Sequence, residues 1–373
     1  MEVAMMRTPT LVMDLSAVEE AYRRFTAVMP SIAVHYAMKC NPHGEVLATL
    51  LSLGCRFEIA SAPELDRLRT LGVDPSTVLY SNPVKPGTHI RAAYAAGVRC
   101  FAFDSLEEAT KLGALAPGSN ATVRLNAGAT RSGVPSEGKF GVDPDTAVRL
   151  LVQARSLGLR PFGVAFHVGS QMLLPQAWQP PLVAVRHMMQ RLADKGIFLQ
   201  MVDLGGGFPA RYGVTPPPLE SYAAVIERGL AALPYPVRAV VEPGRAIAAE
   251  AGTLTATVIG TAFRGGKRWI HLDVGAFNGL MESLETGNEL RFPVSDSRGS
   301  AIRDRFTLTG PTCDSQDTIL FDVELSADLS TGDLVHIGTT GAYTTVYAST
   351  FNGFEMPTVR CVSGSRPVGA AID

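Results

Sequence analysis

The sequence predicts an α/β protein: a (β/α)8 (TIM) barrel over residues 14–250, then a C-terminal mostly-β domain, sandwich or barrel, over residues 251–373. Three observations carry this. Short apolar runs alternate with amphipathic helical runs eight times between residues 30 and 245, and eight βα alternations in that length suggest a closed barrel. No Gly-x-Gly-x-x-Gly turn follows the first strand, which counts against the competing doubly wound sheet. After about Ala251 helical periodicity fades, and strand-like runs separated by Gly, Pro and Ser clusters take over.

Taken in order, Pro9–Met13 reads as a strand lent by residues 1–13 to the second domain. The barrel strands are expected at Ile32–Met38, Arg56–Ala60, Val78–Ser81, Val98–Phe103, Ala121–Leu125, Gly163–Phe166, Met201–Leu204 and Val237–Val241. Amphipathic segments separate them. In Ala62–Leu71, Leu65, Leu68 and Leu71 recur at helical spacing, with Asp66, Arg67 and Arg69 between them. In the second domain, strands are expected at Thr253–Phe263, Arg268–Asp273, Asp317–Glu324, Leu334–Ile337 and Pro357–Val362.

Composition excludes several classes of partner. The 373 residues are 46% hydrophobic and 18% charged, with a formal net charge of −2, so nothing points to nucleic acid or to an anionic membrane surface. The longest apolar runs, such as Val46–Leu53, are too short to span a bilayer. The N-terminus lacks the charged start and apolar core of a secretory signal. Cys40, Cys55, Cys100, Cys313 and Cys361 are scattered and lack metal-ligand spacing. They imply a cytoplasmic protein with no disulfide framework and no metal site.

Active sites of such barrels lie at the C-terminal ends of the strands, and polar residues cluster there. The first strand runs into Lys39 before breaking at Asn41-Pro42. A lysine at the end of a buried strand is costly unless it has a task, and forming an imine with a carbonyl compound is one. The alternative is a strand-end lysine snorkelling to water. Further round, Ser61 and Glu64 follow the second strand, and Arg124 lies within the fifth. The last three strands run into His167-Val-Gly-Ser170, Gly205-Gly206-Gly207 and Glu242-Pro-Gly244-Arg245. The glycine turn lets backbone N–H groups approach an oxyanion, Arg245 offers a guanidinium fork and Ser170 a hydroxyl. Together these suit a phosphate, which barrels often bind near their last strands. A lysine that can form an imine beside a phosphate site suggests pyridoxal 5′-phosphate (PLP). That cofactor needs an acid at its pyridine nitrogen, for which Glu242 is the candidate, and His167 could stack on its ring. Taken singly, Glu242 could equally pair with Arg245, and His167 could be a hydrogen-bonded core residue.

These residues fall into runs that resemble one family throughout. Tyr36-Ala-Met-Lys39-Cys-Asn-Pro, Phe57-Glu-Ile-Ala-Ser61-Ala-Pro-Glu64, Lys139-Phe-Gly, His167-Val-Gly-Ser170, Gly205-Gly-Gly-Phe-Pro, Glu242-Pro-Gly-Arg245, Gly310-Pro-Thr-Cys313-Asp314-Ser-Gln-Asp317 and Gly341-Ala-Tyr343-Thr occur in that order. From Thr8 to Phe354 the chain resembles the fold-type III, PLP-dependent decarboxylases of basic amino acids, and most of all the short bacterial ornithine decarboxylases. The resemblance implies that Lys39 carries the cofactor as an internal aldimine. It places His167 on the ring and Glu242 at the pyridine nitrogen. Ser170, Gly207, Arg245 and Tyr343 then hold the phosphate, Gly206 and Gly244 also bind the cofactor, and Glu64 and Arg124 support the site. It also implies a homodimer with shared active sites, Cys313 and Asp314 reaching in from the partner, Cys313 as a catalytic proton donor, and Asp273, Asp314 and Phe351 binding substrate. The alternative for Cys313 is a small buried hydrophobe.

The resemblance favours conversion of L-ornithine to putrescine and CO2, in polyamine biosynthesis. Lysine differs by one methylene, worth about 1–3 kcal/mol in a pocket, so lysine or another diamino acid stays open, diaminopimelate included. An amino-acid racemase and a catalytically inactive binding homologue are the remaining alternatives. Residues 131–138 depart from the tighter run usual in ornithine enzymes and mark a possible specificity loop.

Overall fold

The structure, a computed structural model, describes residues 7–128 and 138–364. The chain divides into two compact units, one of Tyr22–Pro209 with Pro216–Gly244, the other of Met1–Ala21, Ala210–Thr215 and Arg245–Asp373. Strand β1 (Thr10–Asp14) belongs to the latter. The former is a closed barrel of β2 (Ile32–Ala37), β3 (Arg56–Ile59), β4 (Leu79–Tyr80), β5 (Cys100–Phe103), β6 (Asn120–Arg124), β7 (Arg160–Ala165), β8 (Met201–Asp203) and β9 (Arg238–Val241).

All eight strands are parallel, and β2 closes the ring on β9 with Ile32 opposite Ala239 and Val34 opposite Val241. Their apolar runs form because both faces are covered, one by the barrel interior and one by the helices. Leu79, Met201 and Val240 pack in that core. The helix Ala62–Thr70 shows how the sequence sets an element boundary. Ser61 Oγ accepts the Glu64 N–H, and Glu64 Oε2 accepts the Ala60 N–H at 2.6 Å, a reciprocal cap on the N-terminus.

The second unit carries an eight-stranded sheet. Its main path runs β12 (Val294–Asp296), β15 (Leu334–Gly338), β10 (Gly252–Arg264), β11 (Lys267–Leu272), β13 (Arg303–Thr309), β14 (Thr318–Ser326). Strand β1 pairs antiparallel with β10 and parallel with β16 (Thr358–Val362). Strands β12 and β13 were not expected from sequence. The first has three residues, too few for a pattern. The second opens Arg-Asp-Arg, with both arginines exposed, and turns apolar only at Phe306. Residues 131–137 of the expected specificity loop lie outside the described residues. No described helix is long and apolar enough to cross a membrane.

Candidate active site

At the barrel mouth, Lys39 sits one residue beyond the expected strand. Strand β2 stops at Ala37, and Lys39 lies on the 3-10 turn Met38–Cys40. Its flanking residues are buried, but its own side chain is half exposed. The expectation of a buried strand-end lysine is thus corrected: Lys39 stands on a separate turn with its side chain half exposed. The turn is fixed from both sides. Ala37 N–H donates to Pro243 O at 3.2 Å, and Tyr36 OH donates to Asn41 O at 3.2 Å.

Carboxylates surround the lysine. Glu58 Oε2 lies 3.6 Å from Lys39 Nζ, and the Glu58 side chain is 1% exposed. That oxygen makes no hydrogen bond. Burial pushes the Glu58 carboxyl up to about 8 in spite of Lys39. Glu58 is also the main reason that the Lys39 ammonium is held above its usual value, with Glu242 and Glu64 adding to it. Glu242 is buried, and burial followed by the neighbouring Asp203 carboxylate pushes it up to about 8. Asp203 itself is raised by burial to about 6. Ser81 Oγ donates to Glu242 Oε1. Burial and the repulsion among these carboxylates outweigh Lys39 and Arg124, so the group favours its protonated forms.

The glycine turn stands beside this group. Asp203 Oδ1 accepts the Gly205 N–H at 2.9 Å, and Gly205 O accepts the Glu242 N–H at 2.9 Å. Gly207 has φ +105°, a conformation that disfavours any side chain. A Cβ on Gly206 would lie 2.6 Å from Glu242 O and 3.7 Å from His167 Cε1, which places the imidazole against the turn. Burial, then Arg124 and Lys39, drives His167 down to about 3, so the ring is neutral. Arg124 is the last residue of β6. A Cβ on Gly244 would lie 2.7 Å from Cys40 Cβ, so the β9 loop packs on the Lys39 turn. Ser170 is half-buried, just after His167 in the β7 loop.

In the second unit, Arg245 is buried and grips Glu282 through both terminal nitrogens, with Arg245 Nη1 to Glu282 Oε2 at 2.9 Å. Arg245 Nη1 also donates to Tyr212 OH at 2.9 Å, and its guanidinium carbon lies 4.8 Å from the Tyr343 ring centre. Arg245 therefore takes Glu282, and Glu242 hydrogen-bonds with Ser81 and Asp203, in place of the Glu242–Arg245 pair considered from sequence. Tyr343 adopts φ +61°, a strained conformation of the kind that clusters at functional sites. Asp273 is half-buried, its Oδ1 accepting the Thr257 N–H at 2.9 Å.

Cys313 and Asp314 are both exposed on the Gly310–Asp317 turn, so Cys313 is not a buried hydrophobe. Asn352 Nδ2 donates to Cys313 Sγ at 3.5 Å, and the adjacent Phe351 packs on Phe277 with ring centres 4.9 Å apart. Asp317, fully buried, holds the turn. Its Oδ1 accepts the Ala276 N–H at 2.8 Å, and its Oδ2 accepts the Thr312 N–H and hydroxyl at 3.0 and 2.7 Å. Gly275 and Gly310 leave room for this carboxylate, since a Cβ on either would come within 2.4 Å of it.

Sequence reading passed over Glu58, Ser81, Asp203 and Glu282 as site residues. Glu58 carried a usable signal, a lone carboxylate inside an apolar β-run. The other three gain meaning only from the neighbours that folding gives them.

A lysine amine among buried carboxylates, a neutral imidazole and a glycine turn define a barrel site of the PLP-dependent class, and the residues present fit that cofactor. The orphaned Glu58 oxygen beside the amine is the specific sign of that fit. Residues 15–249 match the family described as pyridoxal-dependent decarboxylase, pyridoxal binding domain. The chain is 36% identical over 359 residues to a lysine/ornithine decarboxylase of Selenomonas ruminantium, covering 94% of this chain and 89% of that one. It is 32% identical to an ornithine decarboxylase of Schizosaccharomyces pombe, covering 92% and 81%. Its structure superposes on a cadaverine-complexed lysine/ornithine decarboxylase from Vibrio vulnificus with a TM-score of 0.88 at 33% identity, covering 96% and 95%. The chain belongs to the fold-type III, PLP-dependent basic amino acid decarboxylases.

Proposed function

We propose that this decarboxylase acts on L-ornithine, releasing putrescine and CO2 for polyamine biosynthesis in the cytoplasm, with L-lysine as the second substrate. The observation that carries it is the exposed Cys313-Asp314 pair on a turn clamped by Asp317, which offers a thiol and a carboxylate to a cationic substrate. The names of the Selenomonas and Vibrio relatives couple ornithine and lysine in the same way.

Bound PLP supplies an electron sink for breaking the bond between Cα and the carboxylate. In this proposal Lys39 holds the cofactor through its amine, and neutral His167 stacks on the ring without adding charge. Glu242 faces the pyridine nitrogen. Ser170, Gly206, Gly207, Gly244, Arg245 and Tyr343 hold the phosphate, and Arg124 supports the site. Asp273 and Asp314 pair with the distal ammonium, Phe351 walls the substrate, and Cys313 Sγ delivers the proton to Cα. Exposure of Cys313 and Asp314 supports a homodimer in which these two serve the other subunit's lysine.

Two measurements test this. CO2 release with L-ornithine, L-lysine and diaminopimelate is expected to rank in that order, and preference for diaminopimelate overturns the substrate reading. Mixing Lys39→Ala with Cys313→Ala protein is expected to restore activity that neither has alone; no recovery after subunit exchange overturns the shared site.

A further inference from the structure

We propose that Ser81 is a positioning residue for the cofactor's pyridine nitrogen, acting through Glu242. This rests on Glu242 being the acid that faces that nitrogen. Strand β4 is only two residues long, and Ser81 follows it at once, its N–H donating to Ile59 O at 3.1 Å. That bond fixes the Ser81 backbone at the barrel mouth, beside β3. Its hydroxyl then donates to Glu242 Oε1 on the loop after β9. In the ring β9 neighbours β2 and β8, whereas β4 neighbours β3 and β5. The bond thus crosses the mouth and ties together two strands that share no backbone hydrogen bond.

The tie matters because Asp203 and Ser81, both hydrogen-bonded to Glu242, act on it in opposite ways. Asp203 hydrogen-bonds to Glu242 and favours its protonated form, as does burial. With Glu242 ionised, the Ser81 hydroxyl donates to its oxygen, so Ser81 favours the anion, as Lys39 does from the same rim. A pyridinium partner must be anionic and must present one oxygen in a fixed direction. Ser81 holds Oε1 and so fixes the orientation of the Glu242 carboxyl group. Asp203 is held by the Gly205 N–H as well as by Glu242, whereas Ser81 donates to Glu242.

The test is the PLP dissociation constant, read as quenching of intrinsic fluorescence when PLP is added to apoprotein. A hydroxyl bond to a charged group makes Ser81→Ala weaken PLP about tenfold to a hundredfold. Ser81→Thr, which keeps the hydroxyl, stays close to wild type. The ratio of long- to short-wavelength absorbance bands of the bound cofactor shifts in Ser81→Ala, because it reports protonation at the pyridine nitrogen; a mere packing defect leaves that ratio alone. In a Glu242→Gln background, Ser81→Ala changes affinity by no more than about twofold. If Glu242→Gln weakens PLP but Ser81→Ala binds it as wild type does, the inference is overturned and the Glu242 reading stands. Equal losses from Ser81→Ala in both backgrounds also overturn it. If Glu242→Gln itself binds PLP like wild type, the Glu242 reading fails, and this one with it.

Discussion

Replacing Glu58 by Gln removes a charge from a place where burial opposes it. The side chain is 1% exposed, its Oε2 makes no hydrogen bond among the described residues, and Lys39 Nζ lies 3.6 Å away. Burial raises the carboxyl from its ordinary 4.5 to about 8. An acid raised in this way binds a proton more tightly in the folded chain than in the unfolded one. The destabilisation is absent below 4.5, grows through the window up to about 8, and is complete above it. At about 1.4 kcal/mol per unit, its full size is on the order of 5 kcal/mol. Gln resembles the protonated acid and does not titrate. Melting temperatures of wild-type and Glu58→Gln apoprotein should therefore agree near about pH 5 and diverge by about pH 9, with the variant the more stable. Glu242, also raised to about 8, keeps a residual slope in both. Lys39 meanwhile loses the carboxylate that does most to keep it protonated, so incorporation of PLP should reach its half-maximal rate at lower pH. Parallel melting curves across the window would refute the reasoning, because Glu58 would then titrate as an exposed carboxylate does.

Gly207→Ala introduces a Cβ 2.4 Å from Gly169 O and 3.0 Å from Val168 Cγ2, at a φ of +105°. The strained backbone costs about 1–2 kcal/mol, and the glycine turn has to shift. PLP titration should show at least about a tenfold loss of affinity, as expected when a positioning element is displaced by about 1 Å; unchanged affinity would remove this turn from the phosphate site. Asp317→Asn replaces an acceptor of three hydrogen bonds by an amide that presents an N–H to at least one of those donors. It should lower stability by about 1–3 kcal/mol and reduce kcat while the cofactor absorbance stays normal. A loss of that absorbance instead would show that the turn supports the cofactor and not the substrate.

The fold was legible because its signal is periodic and local. Each barrel strand is an apolar run bounded by turn residues, and each was located to within a few residues. Strand β13 was missed because its charged start, Arg303-Asp304-Arg305, hides a strand whose apolar half begins at Phe306. Lys39, His167 and Glu242 stood out for a related reason. Each is polar and sits where an apolar run stops.

Ser81, Asp203 and Glu282 had no such contrast. Ser81 is a small polar residue in an Asn-Pro turn, which is ordinary, and Asp203 looks like a strand end. Barrel closure alone makes them partners, by bringing β4, β8 and β9 to one rim. Glu282 lies on the short helix Met281–Glu285, with nothing in its pattern to announce that it holds Arg245. Sequence names the groups that carry charge, and ring order decides which charges meet. The unusual protonation states of this site, with Glu58 and Glu242 raised and His167 kept neutral, belong to the ring order. A substitution in this mouth should therefore be judged by the strand ends it faces across the barrel before its neighbours in the chain.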